Sequence, residues 1–158
     1  MAEKKRVLLV CLGNTCRSPI GEAVFQQIIR KNAVEDRWEV DSAALMGYHT
    51  GESPNHRAIL ILRANGITDY SHEARTITAD DFEKFDWIFG MDNDNISRLN
   101  SIKPLGSKAK IELLGQYDPQ GEVIIEDPYF DDTHEGFVKA YEQCTRSAAS
   151  FLTKHSQQ

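Results

Sequence analysis

Cysteine is scarce in this chain: three residues, Cys11, Cys16 and Cys144. That number is too small, and of the wrong parity, for the disulfide framework of a small secreted domain. Long apolar runs are also missing, and nothing approaches the ~20 residues that a membrane span needs. Residues 7–12 follow Lys4-Lys5-Arg6 in the manner of a signal peptide, but Asn14 and Arg17 cut the run short and no small-residue cleavage site follows. Internal repeats, low-complexity tracts and Gly/Ser linkers are absent. Positive charge is not in excess either. Eighteen Lys and Arg stand against 24 Asp and Glu, a net charge of −6, which excludes a broad electrostatic footprint for nucleic acid. The expectation is a cytoplasmic protein with free thiols and with neither nucleic acid nor membrane as partner. A polyanion would have to be held at a local cationic site.

What is present is an ordinary globular composition, 27% charged and 41% hydrophobic over 158 residues, which fits one domain spanning 1–158. Residues 6–10, hydrophobic in all but the first, form a short run of the kind found in a buried parallel strand. A glycine-containing loop follows, then Pro19 in the first turn of a helix whose apolar residues Ile20, Ala23, Val24 and Ile28 carry it to about residue 31. Residues 38–41, 86–91 and 110–114 read as further strands. Ser53-Pro54 opens a helix that Asn65-Gly66 closes, and Asp92 is placed to cap another. A last helix over 135–154 aligns Phe137, Tyr141, Cys144, Ala148 and Phe151 on one face. Strands alternating with helices predict an α/β fold: a four-stranded parallel sheet with helices on both faces.

The chemistry concentrates in Cys11-Leu12-Gly13-Asn14-Thr15-Cys16-Arg17-Ser18, between the first strand and the first helix. Loops at the carboxyl ends of strands are where such folds bind ligands. Their backbone N–H groups, those of Leu12 through Ser18, can form an anion nest that the helix dipole reinforces. Gly13 permits a tight path and Asn14 tolerates the left-handed conformation. A thiol at the start of such a nest is favoured as thiolate, which makes Cys11 a nucleophile. Arg17, six residues on, can bind two phosphate oxygens with its planar fork. Ser18 can donate to the sulfur when it leaves. A nucleotide-binding P-loop is excluded because no Gly-Lys-Ser/Thr follows. Asp127, fixed in extended geometry by Pro128, is a candidate to protonate a leaving oxygen.

The run Val10 to Pro19 resembles the signature of the low-molecular-weight protein tyrosine phosphatases. Val40-Asp41-Ser42-Ala43-Ala44 and Ile125-Glu126-Asp127-Pro128-Tyr129 extend that resemblance over nearly the whole chain. It implies a two-step reaction in which Cys11 takes up the phosphoryl group and Asp127 serves as acid, then as base. Phosphorylated proteins would be the substrates, phosphate and other oxyanions the products or inhibitors, with no cofactor and no metal. It implies further that Ser42 and His72 hydrogen-bond to Asn14, with Asp92 paired to His72. Leu12, Tyr48 and Tyr129 would wall the substrate pocket, and Cys16 would form a reversible disulfide with Cys11 under oxidation. His49, His56, His134 and His155 carry no role in this reading, and Cys144 is core.

Two positions depart from the family pattern. Thr15 stands where most members carry isoleucine, and a threonine there marks the branch that acts on phosphoarginine. Phe130 replaces the second of two adjacent tyrosines found in many animal relatives. Phosphotyrosine is the default substrate and phosphoarginine the competitor. Arsenate reductases share the loop, but residues 80–100 lack the further redox cysteines they need. A non-catalytic phosphate-binding module is disfavoured by Cys11, Arg17 and Asp127 occurring together.

Overall fold

Strand β1 (Lys5–Cys11) is buried on both faces from Val7 onward, and the alternation of its side chains divides the core in two. Val7, Leu9 and Cys11 join one cluster, while Leu8 and Val10 join the other. The computed structural model describes residues 3–155. In it β1 lies between β2 (Trp38–Ala44) and β3 (Trp87–Gly90), with β4 (Lys110–Leu113) outside β3. The order is β2-β1-β3-β4 and every pairing is parallel, the single α/β domain that the sequence predicts.

The first core cluster lies under α1 (Arg17–Lys31), α2 (His56–Ala64) and α5 (Glu135–His155). Phe151 of α5 is its hub, meeting Trp87 and Phe89 edge-on with ring centroids 5.0 Å apart in each case. The opposite face is covered by α3 (Ala79–Lys84) and α4 (Asn93–Ile102), which contribute Phe82 and Leu99 to the second cluster. Among the described residues no helix is long and apolar enough to cross a membrane.

Three differences from the sequence reading have local causes. Strand β2 runs to Ala44 rather than residue 41, because Ala43 and Ala44 pair with Val10 and Cys11 and Ala44 also bridges to Thr76. Helix α2 starts at His56 rather than at Ser53-Pro54, since the Asn55 side chain accepts from the Arg57 N–H and so caps it. Helix α3, not anticipated at all, is six residues long and rests on a capping box between Thr78 and Asp81. The chain leaves β1 to build β2 on one side and β3 on the other. Cys11 therefore ends a strand at the point where strand order reverses, the crevice in which such sheets bind ligands.

Candidate active site

From that crevice the loop turns back over the start of α1, and its path depends on Asn14, which holds a left-handed φ of 59°. Side-chain bonds satisfy Asn14 completely. Its Nδ2 donates to Ser18 Oγ (2.7 Å) and Ser42 Oγ (3.0 Å), and its Oδ1 accepts from His72 Nε2 (2.8 Å) and the Arg75 N–H (3.1 Å). This fixes the direction of the next bond. Because Ser18 Oγ accepts from Asn14, its own proton is free for Cys11 Sγ at 3.0 Å, and the Ser18 N–H adds a second donor at 3.4 Å. The Cys11 sulfur is thus placed to accept two hydrogen bonds from Ser18.

Beneath Asn14 lies a polar hub built on Glu22. Ser42 Oγ and Tyr70 OH donate to its Oε1 at 2.7 and 2.8 Å, Gln26 donates to Oε2 at 3.1 Å, and His72 Nδ1 stands 3.4 Å away. Burial pushes the Glu22 carboxyl up to about 7, against the pull of the Ser42 and Tyr70 hydroxyls. Burial likewise pushes His72 down. Glu22, Asp41 and His72 are close enough together to suit a cation. Their oxygens are already taken, however: Asp41 accepts from the Ser42 N–H and twice from the Arg75 guanidinium. Arg75, held also by Asp81, in this way stiffens the segment whose backbone supports Asn14.

Arg17 is 2% exposed, which makes its partners decisive. Its Nη1 donates to Asp92 Oδ2 at 2.6 Å and to the Ile125 carbonyl at 2.9 Å, while Nη2 lies 3.8 Å from Asp127 Oδ2. Burial works against its charge, but Cys11, Asp92 and Asp127 outweigh burial and hold its pKa above the usual range. Here one expectation is corrected. Asp92 does not pair with His72; it pairs with Arg17 and caps α4 by accepting from the Asn95 N–H at 2.8 Å. The position of Asp92 at the end of β3 puts it beside the loop's arginine, while His72 approaches from the β2 side.

A cavity of about 220 Å³ opens above the loop, lined by Cys11, Leu12, Gly13, Thr15, Cys16, Tyr48, His49, Asp127, Tyr129 and Phe130. Leu12, Thr15, Tyr48, Asp127 and Tyr129 meet there. His49, given no role by the sequence reading, lines it too. Its Nδ1 bonds Glu52 at 2.9 Å, and its ring lies so close to Gly13 that a Cβ there would come within 2.9 Å of it. Glu22, Tyr70 and Arg75 were also missed, because nothing in their local sequence marks them. Cys16 is buried beside Cys11, and burial pushes its thiol up to about 12. Cys144 is fully buried in the core.

The model of the family described as low molecular weight phosphotyrosine protein phosphatase matches residues 6–158. The low molecular weight phosphotyrosine protein phosphatase of Homo sapiens is 48% identical over 158 residues, covering 98% of this chain and 99% of that protein. Among solved structures, Primo-1 superposes with a TM-score of 0.90 at 44% identity, covering 97% of this chain and 99% of that one. The Drosophila arginine phosphatase DARP does so with a TM-score of 0.86 at 40% identity, covering 94% and 96%. The chain belongs to the low-molecular-weight phosphotyrosine protein phosphatase family, and is accordingly a hydrolase.

Proposed function

We propose that this enzyme removes phosphate from phosphorylated protein side chains through a phosphocysteine on Cys11, with phosphotyrosine as the substrate residue. The observation that carries this reading is the run of directed hydrogen bonds from Asn14 through Ser18 to Cys11, at the foot of a cavity that Asp127 also lines. Cys11 attacks phosphorus, the S–P bond forms, and the P–O bond to the leaving group breaks. The Arg17 fork and the loop N–H groups take the charge on the equatorial oxygens, and Asp127 protonates the departing oxygen. Asp127 then takes a proton from water, which attacks phosphorus and releases the thiolate to the Ser18 hydroxyl. Phosphate is the second product, and similar oxyanions inhibit by filling the same nest. Full turnover in Cys11→Ser, or an unchanged rate in Asp127→Ala, would contradict this scheme.

Phosphoarginine is the second reading. Thr15 and Asp127 both line the cavity, and a polar threonine with a carboxylate suits a guanidinium better than isoleucine would. A relative 40% identical is named an arginine phosphatase. Competitive hydrolysis of the two phosphopeptides by the wild type and Thr15→Ile decides between them, and a wild type inert toward phosphoarginine removes the second.

Cys16 supplies a redox brake in this scheme. Its high pKa keeps it a thiol at neutral pH, so it does not compete with Cys11 for phosphorus. Peroxide converts the Cys11 thiolate to a sulfenic acid, and the Cys16 thiol condenses with it, releasing water and forming a disulfide. Recovery by thiols after peroxide treatment should be lost in Cys16→Ser. A cytoplasmic location goes with this chemistry, since it needs reduced thiols.

A further inference from the structure

Among the described residues, the loop that carries Asp127 belongs to no strand. Residues 118–134 lie outside the sheet, with a short 3-10 turn at Pro128–Phe130 as their regular structure. Before Asp127 the loop is tied by Ile125, whose N–H donates to the Met91 carbonyl and whose carbonyl accepts from Arg17; after Asp127, one side chain of α2 gathers it. Arg57 Nη1 donates to the carbonyls of Asp131 (2.5 Å) and Thr133 (3.2 Å), and Nη2 donates to the carbonyl of Tyr129 (3.0 Å). The guanidinium carbon lies 4.5 Å from the centroid of the Phe137 ring, which is itself buried. The fork is therefore pinned by a cation–π contact on one side and spends its donors on loop carbonyls on the other.

The same turn of α2 is tied to the phosphate loop. The Asn55 N–H donates to the Thr15 carbonyl at 2.8 Å, and Asn55 Oδ1 accepts from the Arg57 N–H at 2.9 Å. Two consecutive anchors thus run from Thr15, four residues after Cys11, to Tyr129, two residues after Asp127. We propose that Arg57 is a positioning residue, a clamp that sets the height of Asp127 above the Cys11 sulfur. This rests on the reading of Asp127 as the general acid. Arg57 does not line the cavity that Cys11 and Asp127 share, so it acts through the loop backbone alone.

General-acid catalysis matters most when the leaving oxygen is basic, and a displaced acid therefore shows as a steeper dependence of kcat/KM on leaving-group basicity. The test measures kcat/KM for aryl phosphates from p-nitrophenyl to phenyl in the wild type, Arg57→Ala, Arg57→Lys and Asp127→Ala. Inhibition by inorganic phosphate is followed alongside. The expected result is a steeper dependence in Arg57→Ala, with phenyl phosphate losing roughly tenfold more than p-nitrophenyl phosphate. Phosphate inhibition should hold, and Arg57→Lys should recover part of the effect, because one ammonium cannot span three carbonyls. If Asp127→Ala steepens the dependence while both Arg57 variants lower all substrates equally or not at all, the clamp is refuted and Asp127 keeps its role. If Asp127→Ala itself shows no steepening, both fall. Should Arg57→Ala fail to fold, the slope measured in Arg57→Lys alone separates these outcomes.

Discussion

Asp92 Oδ2 lies 2.6 Å from Arg17 Nη1 while Asp92 Oδ1 accepts the Asn95 N–H, so one carboxylate both starts helix α4 and orients the buried arginine. An amide cannot replace it. In Asp92→Asn the single oxygen must serve either the cap or Arg17, and the NH2 group then faces a donor. We predict a loss of about 2 kcal/mol in stability and roughly a tenfold fall in kcat. Urea unfolding and steady-state kinetics on the same preparation check both.

Asn14 combines a left-handed backbone with four side-chain bonds. Asn14→Ala should cost about 1 kcal/mol for the backbone and about 2 kcal/mol more for the partners left unmatched. Asn14→Gly is spared the first cost. Melting temperatures should therefore fall in the order wild type, Asn14→Gly, Asn14→Ala, with turnover depressed in both variants.

Glu22 makes a pH prediction whose sign is fixed. Its carboxyl rises from 4.5 to about 7 on folding, so between those values the folded protein holds a proton that the unfolded chain has lost. The native state is favoured below pH 4.5 and loses that advantage as pH rises to about 7. His72, pushed below 6.5, works in the opposite sense up to that value. Glu22→Gln removes the carboxyl's contribution. The stability of this variant relative to wild type should climb with pH across the window by about 3 kcal/mol in total. Urea midpoints measured at several pH values read this directly, and a flat difference would count against it.

Gly115 is a distant control on the same site. A Cβ there would come within 2.1 Å of the Val123 carbonyl oxygen, and a backbone atom cannot yield as a side chain does. Gly115→Ala must move the segment leading to Ile125, whose carbonyl accepts from Arg17. Stability should fall by roughly 2 kcal/mol, with KM for aryl phosphates rising. A crystal structure of the variant would locate the shift.

These residues also show what was legible in the sequence. The sheet was, because β1 is an unbroken apolar run from Val7 to Val10 and the caps at Asp92 and Asn65 punctuate the helices near it. The loop was legible because its chemistry is local: Cys11, Asn14, Arg17 and Ser18 lie within eight consecutive residues. Helix α3 was not, since six residues held by one capping box carry too little periodicity to register. Glu22, Tyr70, Arg75 and Arg57 were invisible for another reason. Each makes a bond across 48 to 76 residues of separation, and no local pattern encodes such a contact. The mispairing of Asp92 has the same origin, for choosing between Arg17 and His72 takes the fold.

The phosphocysteine mechanism is tested most directly by rapid acid quench of the enzyme turning over an aryl phosphate, followed by mass spectrometry of the peptide containing Cys11. The mechanism predicts one phosphate on that peptide, bonded to Cys11. The label should persist longer in Asp127→Ala, where hydrolysis of the intermediate loses its base, and be absent in Cys11→Ser. Steady turnover with no phosphate on Cys11, or phosphorylated enzyme in Cys11→Ser, would contradict it.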